Sequence, residues 1–190
     1  MKRLLLATMA LIALVSGTAA FAQTPAKLLP AQSEINFVSK QMGVPVEGVF
    51  KKFDAQINLD PKKPEAGTVA FTIDTGSASL GIPQTDAELP KPEWFNTPKF
   101  PQATFQSTSI KGLGGGKFEV AGKLTIKGNV RDIVVPVSVV QNAGTSVASG
   151  AFTIKRLEFR IGEGDWGDTS IVANDVQVRF KLALTGLGPL

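Results

Sequence analysis

An all-β chain, folded as an antiparallel sandwich or a closed up-and-down barrel, is what this sequence predicts. Three observations carry that expectation. Apolar and polar residues alternate with period two through about eight segments, the signature of strands with one dry and one wet face. Clusters of Gly, Asn, Asp and Pro separate most of those segments at turn length, too short for parallel crossovers. The chain has no cysteine, so an apolar interior must stabilise it without disulfides. A closed barrel of about eight strands is just wide enough to be filled by its own side chains or to hold one small ligand. Periodicity alone leaves packed and hollow interiors equally open.

Taken in order, residues 23–32 carry two prolines and no period, and read as a lead-in. Ile35 and Phe37 then share a face, as do Phe53, Ala55, Ile57 and Leu59 before the break at Asp60-Pro61-Lys62-Lys63-Pro64. Val69, Phe71 and Ile73 alternate next. Ala103, Phe105 and Ser107 give a weaker strand that precedes the glycines at 112, 114, 115 and 116. Those glycines lie between strands and read as a hairpin loop, since Phe118, Val120, Leu124 and Ile126 beyond them keep period two and open no phosphate-binding helix. Gly128-Asn129 turns the chain into Ile133, Val135, Val137 and Val139. Asn142-Ala143-Gly144 turns it again into Phe152 and Ile154. The last alternation is the clearest, with Val176, Val178, Phe180, Leu182 and Leu184 opposite Asp175, Gln177, Arg179 and Lys181.

One stretch departs from the meander. Residues 76–101 are rich in proline, carry Asp86 and Glu88, and then present Trp94, Phe95 and Phe100. A segment this long without strand pattern is usually functional, and its aromatics argue against disorder. A short helix over 84–89, stopped by Pro90, is expected. The segment reads either as a plug closing one barrel end or as a lid over a ligand mouth, with Trp94 and Phe95 as its apolar contacts.

Residues 1–22 read as a cleaved secretory signal: Lys2 and Arg3, an uncharged run over 4–15, and Ala20-Phe21-Ala22 at the cleavage site. The run is about twelve residues, against the ~20 that span a bilayer. Residues 23–190 are then one exported, periplasmic domain. Losing Lys2 and Arg3 lowers the net charge from +4 to +2, which gives little reason to expect a nucleic-acid partner.

Catalysis has little to work with. There is no histidine, so no Ser-His-Asp mechanism is available, and without His or Cys no zinc, iron or copper site is expected. Glu163, Asp165 and Asp168 form the best carboxylate group. They read as a polar glycine-bearing turn over Trp166, with calcium as the one metal worth testing.

Several stretches carry a resemblance: Ser33–Phe37, Gly43–Phe50, Phe53–Ile57, Thr72–Asp74, Phe100–Ser107, Gly122–Gly128 and Arg156–Gly162. Together they make the chain resemble the YceI-like family of exported, lipocalin-like proteins that bind polyisoprenoids, over almost all of 29–184. The resemblance implies an eight-stranded antiparallel barrel with a short helical or irregular lid and an apolar tunnel for an isoprenoid chain. Many relatives have histidine where this chain reads Lys40-Gln41-Met42 and Ile126-Lys127-Gly128. This variant is similar to a subgroup found with b561-type cytochromes, which adds an isoprenoid quinone as ligand and transient contact with a membrane or such a cytochrome.

The function expected is therefore a non-enzymatic carrier of a long isoprenoid lipid, without cofactor or metal. Its tunnel should be lined by Ile35, Phe37, Phe53, Ile57, Val69, Phe71, Ile73, Phe105, Leu124, Ile126, Val135, Val137, Phe152, Ile154, Val178 and Phe180. Lys40, Gln41 and Arg156 are candidates for the lipid head. The alternative is a filled barrel that acts as a periplasmic partner of a membrane cytochrome.

Overall fold

The computed structural model describes residues 25–190. The leader expected over 1–22 lies outside the described residues. The rest is nearly all β, as expected. The strands are β1 (Lys27–Leu28), β2 (Glu34–Gln41), β3 (Val44–Phe50), β4 (Phe53–Asn58), β5 (Thr68–Asp74), β6 (Ala78–Ser79), β7 (Gln102–Gly114), β8 (Lys117–Ile126), β9 (Asn129–Asn142), β10 (Thr145–Lys155) and β11 (Asp175–Thr185). They form a single antiparallel sheet in the order β4-β5-β7-β8-β9-β10-β11-β2-β3-β6, with β1 beside β11. Hairpins account for the run from β7 to β10, as the turn spacing requires. At the first of them Gly114, Gly115 and Gly116 all have positive φ, a conformation that only glycine adopts freely. The sheet curls on itself and is tied back to its first strand where Ala26, just before β1, bridges Ile57 of β4.

Three expectations need correction. The lead-in is not irregular throughout, because Lys27 and Leu28 pair with Thr185 and Leu184 of β11. Two residues are too few to show a period. The strand count also rises, since β3 pairs with β2 along its whole length. Pro45 and Gly48 interrupt its apolar alternation, yet β6 pairs only with Val49 and Phe50, so Pro45 needs no donor on that side. Finally, the short helix α1 covers only Pro83–Asp86, with proline at its start, and turns follow it.

Candidate functional site

The inward faces of the strands enclose two adjoining cavities. The lower one, about 130 Å³, is walled by apolar side chains alone, among them Ile57, Val69, Phe71, Phe105, Val135, Val137 and Phe180. The upper one, about 440 Å³, takes in Phe37, Ile126, Ile154, Trp94 and Phe95 together with Ser39, Gln41, Gln84, Thr85, Glu88 and Arg156. Ile35, Ile73, Leu124, Phe152 and Val178 line both, and form the waist between them. The result is a channel that is apolar at one end and acquires polar groups at the other.

Of the expected lining residues, all but Phe53 lie on one of these walls, and both expected lid residues lie on the upper one. Phe53 keeps the phase of Ala55 and Ile57, but it stands at the corner after Lys51-Lys52. There it packs on the core and faces an outer groove with Phe50. The channel also uses Leu59, Phe118, Val120, Ile133, Val139, Ala148, Leu182, Leu184 and Leu187 below, and Val46, Phe50, Leu80, Ile161, Val172 and Val176 above. For Phe118, Val120, Ile133 and Val139 the signal was simple continuation of the same period along β8 and β9.

Three glycines help keep this interior hollow. Gly48 pairs across the sheet with Phe37, and Gly150 with Phe180. A Cβ on Gly48 would collide with the Phe37 ring, one on Gly150 with the Phe180 ring, and one on Gly122 with the Phe105 ring. Each phenyl therefore lies down over a glycine and against the wall, where a neighbouring side chain would force it into the lumen. Phe37, Phe105 and Phe180 remain only half-buried although they face inward. In a filled barrel such rings would be buried outright.

Residues 76–101 form the wall and cover of the upper cavity. Leu89 and Phe95 are buried in the apolar cluster there, with Ile126, Ile154 and Phe159. Phe37, Phe50 and Phe95 form an aromatic chain from wall to cover, with ring centroids 5.2 and 5.9 Å apart. Asp86 fastens the cover from outside: its carboxylate accepts from Ser79 Oγ at 2.7 Å and from the Leu80 amide. The Ser79 bond, then the Leu80 bond, hold the Asp86 carboxyl below its ordinary range. Because the folded value is the lower one, the fastening is complete at neutral pH. It is lost as pH falls through the ordinary carboxylate range and then through the lowered value. Asp86→Ala should therefore make the Lys99–Phe100 bond a faster trypsin site at neutral pH. Hydrogen exchange, corrected for its intrinsic rate, should show wild-type protection over 79–90 falling on acidification while that of the variant stays flat.

The polar end is ordered by Arg156, which is 1% exposed. Its Nε donates to the Ala173 carbonyl at 3.1 Å, Nη1 to those of Ile161 and Gly162 at 2.8 Å each, and Nη2 to those of Trp166 and Val172 at 2.7 Å each. Every donor of the guanidinium is engaged. Burial pushes its pKa down from the ordinary value. Lys127 is similarly occupied, donating to the carbonyls of Pro92 and Arg160 and to Glu163. Lys40, the other cation weighed for a lipid head, is exposed and on neither cavity wall.

The three loop carboxylates do not converge. Glu163 joins Arg160 and Lys127, which hold its pKa down in that order, and Asp168 accepts from the amide and hydroxyl of Ser170. No group of three or more His, Cys, Asp or Glu stands together among the described residues. Trp166 is 39% exposed, less covered than a residue packed beneath the turn, and packs at a tilt of 47° against Trp94 with ring centroids 5.5 Å apart.

The model of the YceI-like domain matches residues 27–184. The chain belongs to the YceI-like family. Protein YceI of Salmonella arizonae is 33% identical over 135 residues, 70% of each chain. The crystal structure of BcnA from Burkholderia cenocepacia is 46% identical, with a TM-score of 0.80, over 83% of this chain and 99% of that one. A polyisoprenoid-binding domain from Saccharophagus degradans, implicated in plant cell wall breakdown, shares the fold with a TM-score of 0.70. It is 20% identical and covers 84% of this chain and 97% of that one. The YceI-like residues 27–184 thus include the cover and every wall residue of the channel but Leu187.

Proposed function

We propose that this YceI-like protein is exported to the periplasm, loses residues 1–22, and there carries or sequesters one long isoprenoid lipid. The observation that carries the reading is the two-chamber channel, wholly apolar below and partly polar above. A polyprenyl chain or the tail of an isoprenoid quinone would fill the apolar lower part and run on through the waist into the larger upper part, its head lying among the polar groups there. The solved relative from Saccharophagus, described as polyisoprenoid-binding, supports the same ligand class. The cavities weigh against the filled barrel that a pure docking partner would have.

Energetics suit a carrier. A chain leaving water for the channel gains roughly 0.8 kcal/mol per CH₂. A chain leaving a bilayer gains almost nothing, because lipid tails are already apolar. The protein can therefore exchange its lipid with membranes, and with a b561-type cytochrome if the head is a quinone, with residues 76–101 governing access. No step of chemistry is assigned to it. The test is direct: protein expressed with its leader is released by osmotic shock and extracted with organic solvent. A mature chain starting at Gln23 with close to one equivalent of isoprenoid lipid is expected. Shock-released protein that yields no lipid and takes up none when offered a polyprenol would overturn the proposal.

A further inference from the structure

Among the described residues, two buried side-chain polar atoms make no hydrogen bond: Ser39 Oγ and Trp94 Nε1. Both residues line the upper cavity, one on β2 and one on the cover. Buried polar atoms are nearly always partnered, so two orphans on one wall mark a place where a ligand supplies the partner. An indole N–H can only donate, and a serine hydroxyl can donate or accept. The missing partner therefore carries at least one acceptor oxygen.

The charges nearby define the rest of it. Arg156 is the cation on this wall, and all its donors are already engaged by five carbonyls. Glu88 is on the same wall, with both carboxylate oxygens held by Lys91 Nζ at 2.7 Å, so that lysine is engaged as well. A phosphate placed here would lose its water and find no free cation on the wall to offset that loss.

Resting on the isoprenoid reading above, we propose that the upper cavity is a head-group site selective for an uncharged, acceptor-bearing head, a carbonyl or hydroxyl held by Trp94 Nε1 and Ser39 Oγ. It discriminates against a phosphorylated head on the same chain. The ligand enters tail first, and the cover supplies one of the two head contacts, so closing the cover and reading the head are one event.

The probes are squalene, which has an isoprenoid chain and no head, and a polyprenol and its monophosphate of matched length. Dissociation constants are measured by competition against a fluorescent lipid, for wild type, Ser39→Ala and Trp94→Phe, each shown folded by its melting curve. Wild type should prefer the polyprenol to the monophosphate by tenfold or more. In either variant the ratio of polyprenol to squalene affinity should fall by about fivefold, the usual effect of one hydrogen bond. If squalene and polyprenol bind alike and the variants leave their ratio unchanged, the head site is wrong while the channel stands. If the monophosphate binds as well as the polyprenol, the selectivity is wrong, and this needs no variant. If none of the three binds, the channel reading itself falls.

Discussion

Arg156→Leu is expected to lower the melting temperature by at least about 10 °C, and at worst to leave the chain unfolded at expression temperature. The guanidinium joins five carbonyls from two stretches of the loop between β10 and β11. Leucine fills part of the volume but returns none of the hydrogen bonds. Each carbonyl left buried and unpaired costs about 1–3 kcal/mol, and the whole domain is held by about 5–15. Even with partial relaxation toward solvent, several kcal/mol are lost. Lysine keeps the charge but has three donors and no planar fork, so Arg156→Lys should fall between leucine and wild type. Thermal melts followed by circular dichroism measure the series. A shift under about 2 °C for Arg156→Leu would show that this cluster does not hold the loop.

Phe71→Glu should abolish lipid loading. Phe71 stands on the lower wall, opposite Phe105 on the neighbouring strand and Ala55 on the other. Every other side chain on that wall is apolar. A carboxylate there either ionises against a cost of several kcal/mol or stays protonated without a partner. Both outcomes oppose a hydrocarbon tail, and binding should fall before or together with stability. Lys62→Glu, in the exposed turn between β4 and β5 and on neither cavity wall, changes the net charge by two units against one for Phe71→Glu, and should still load like wild type. Native mass spectrometry of the folded variants distinguishes them. A folded Phe71→Glu protein at wild-type occupancy would mean that the chain does not run along this wall.

The residues that could be placed from sequence share one property. Ile35 and Phe37, Val69 through Ile73, Leu124 and Ile126, and Val135 and Val137 sit in strands whose period is unbroken, so their inward face is visible in the letters. Where the period breaks, so does legibility. In β7 the register shifts between Ser107 and Ser109, which turns the buried Ile110 inward out of phase with Ala103 and Phe105. That bulge hides the second half of a strand that runs to Gly114. Pro45 and Gly48 hide β3 in the same way, although Gly48 is small for a reason, because Phe37 lies on it. Ser39 was legible in principle, since it continues the phase of Ile35 and Phe37 as a polar residue on an apolar face. Arg156 was not, because its partners are carbonyls brought to it by the loop and no side-chain pattern announces them. The cover was readable as an exception to the strands, yet whether Trp94 and Phe95 touch the channel depends on how a proline-rich segment folds back.

Both tryptophans of the chain, Trp94 and Trp166, stand on the upper wall, and neither is on the lower one. That placement makes the orientation and depth of a bound lipid measurable in one experiment. Two isoprenoid chains of equal length, one with a fluorescence quencher at the head and one with it at the far end of the tail, are titrated into delipidated protein. A threaded chain, head up and tail down, predicts saturable one-to-one quenching by the head-labelled lipid and little by the tail-labelled lipid at the same occupancy. Equal quenching by both, or quenching that never saturates, would mean that the lipid lies on the surface or enters the other way round, and would contradict the account at its centre.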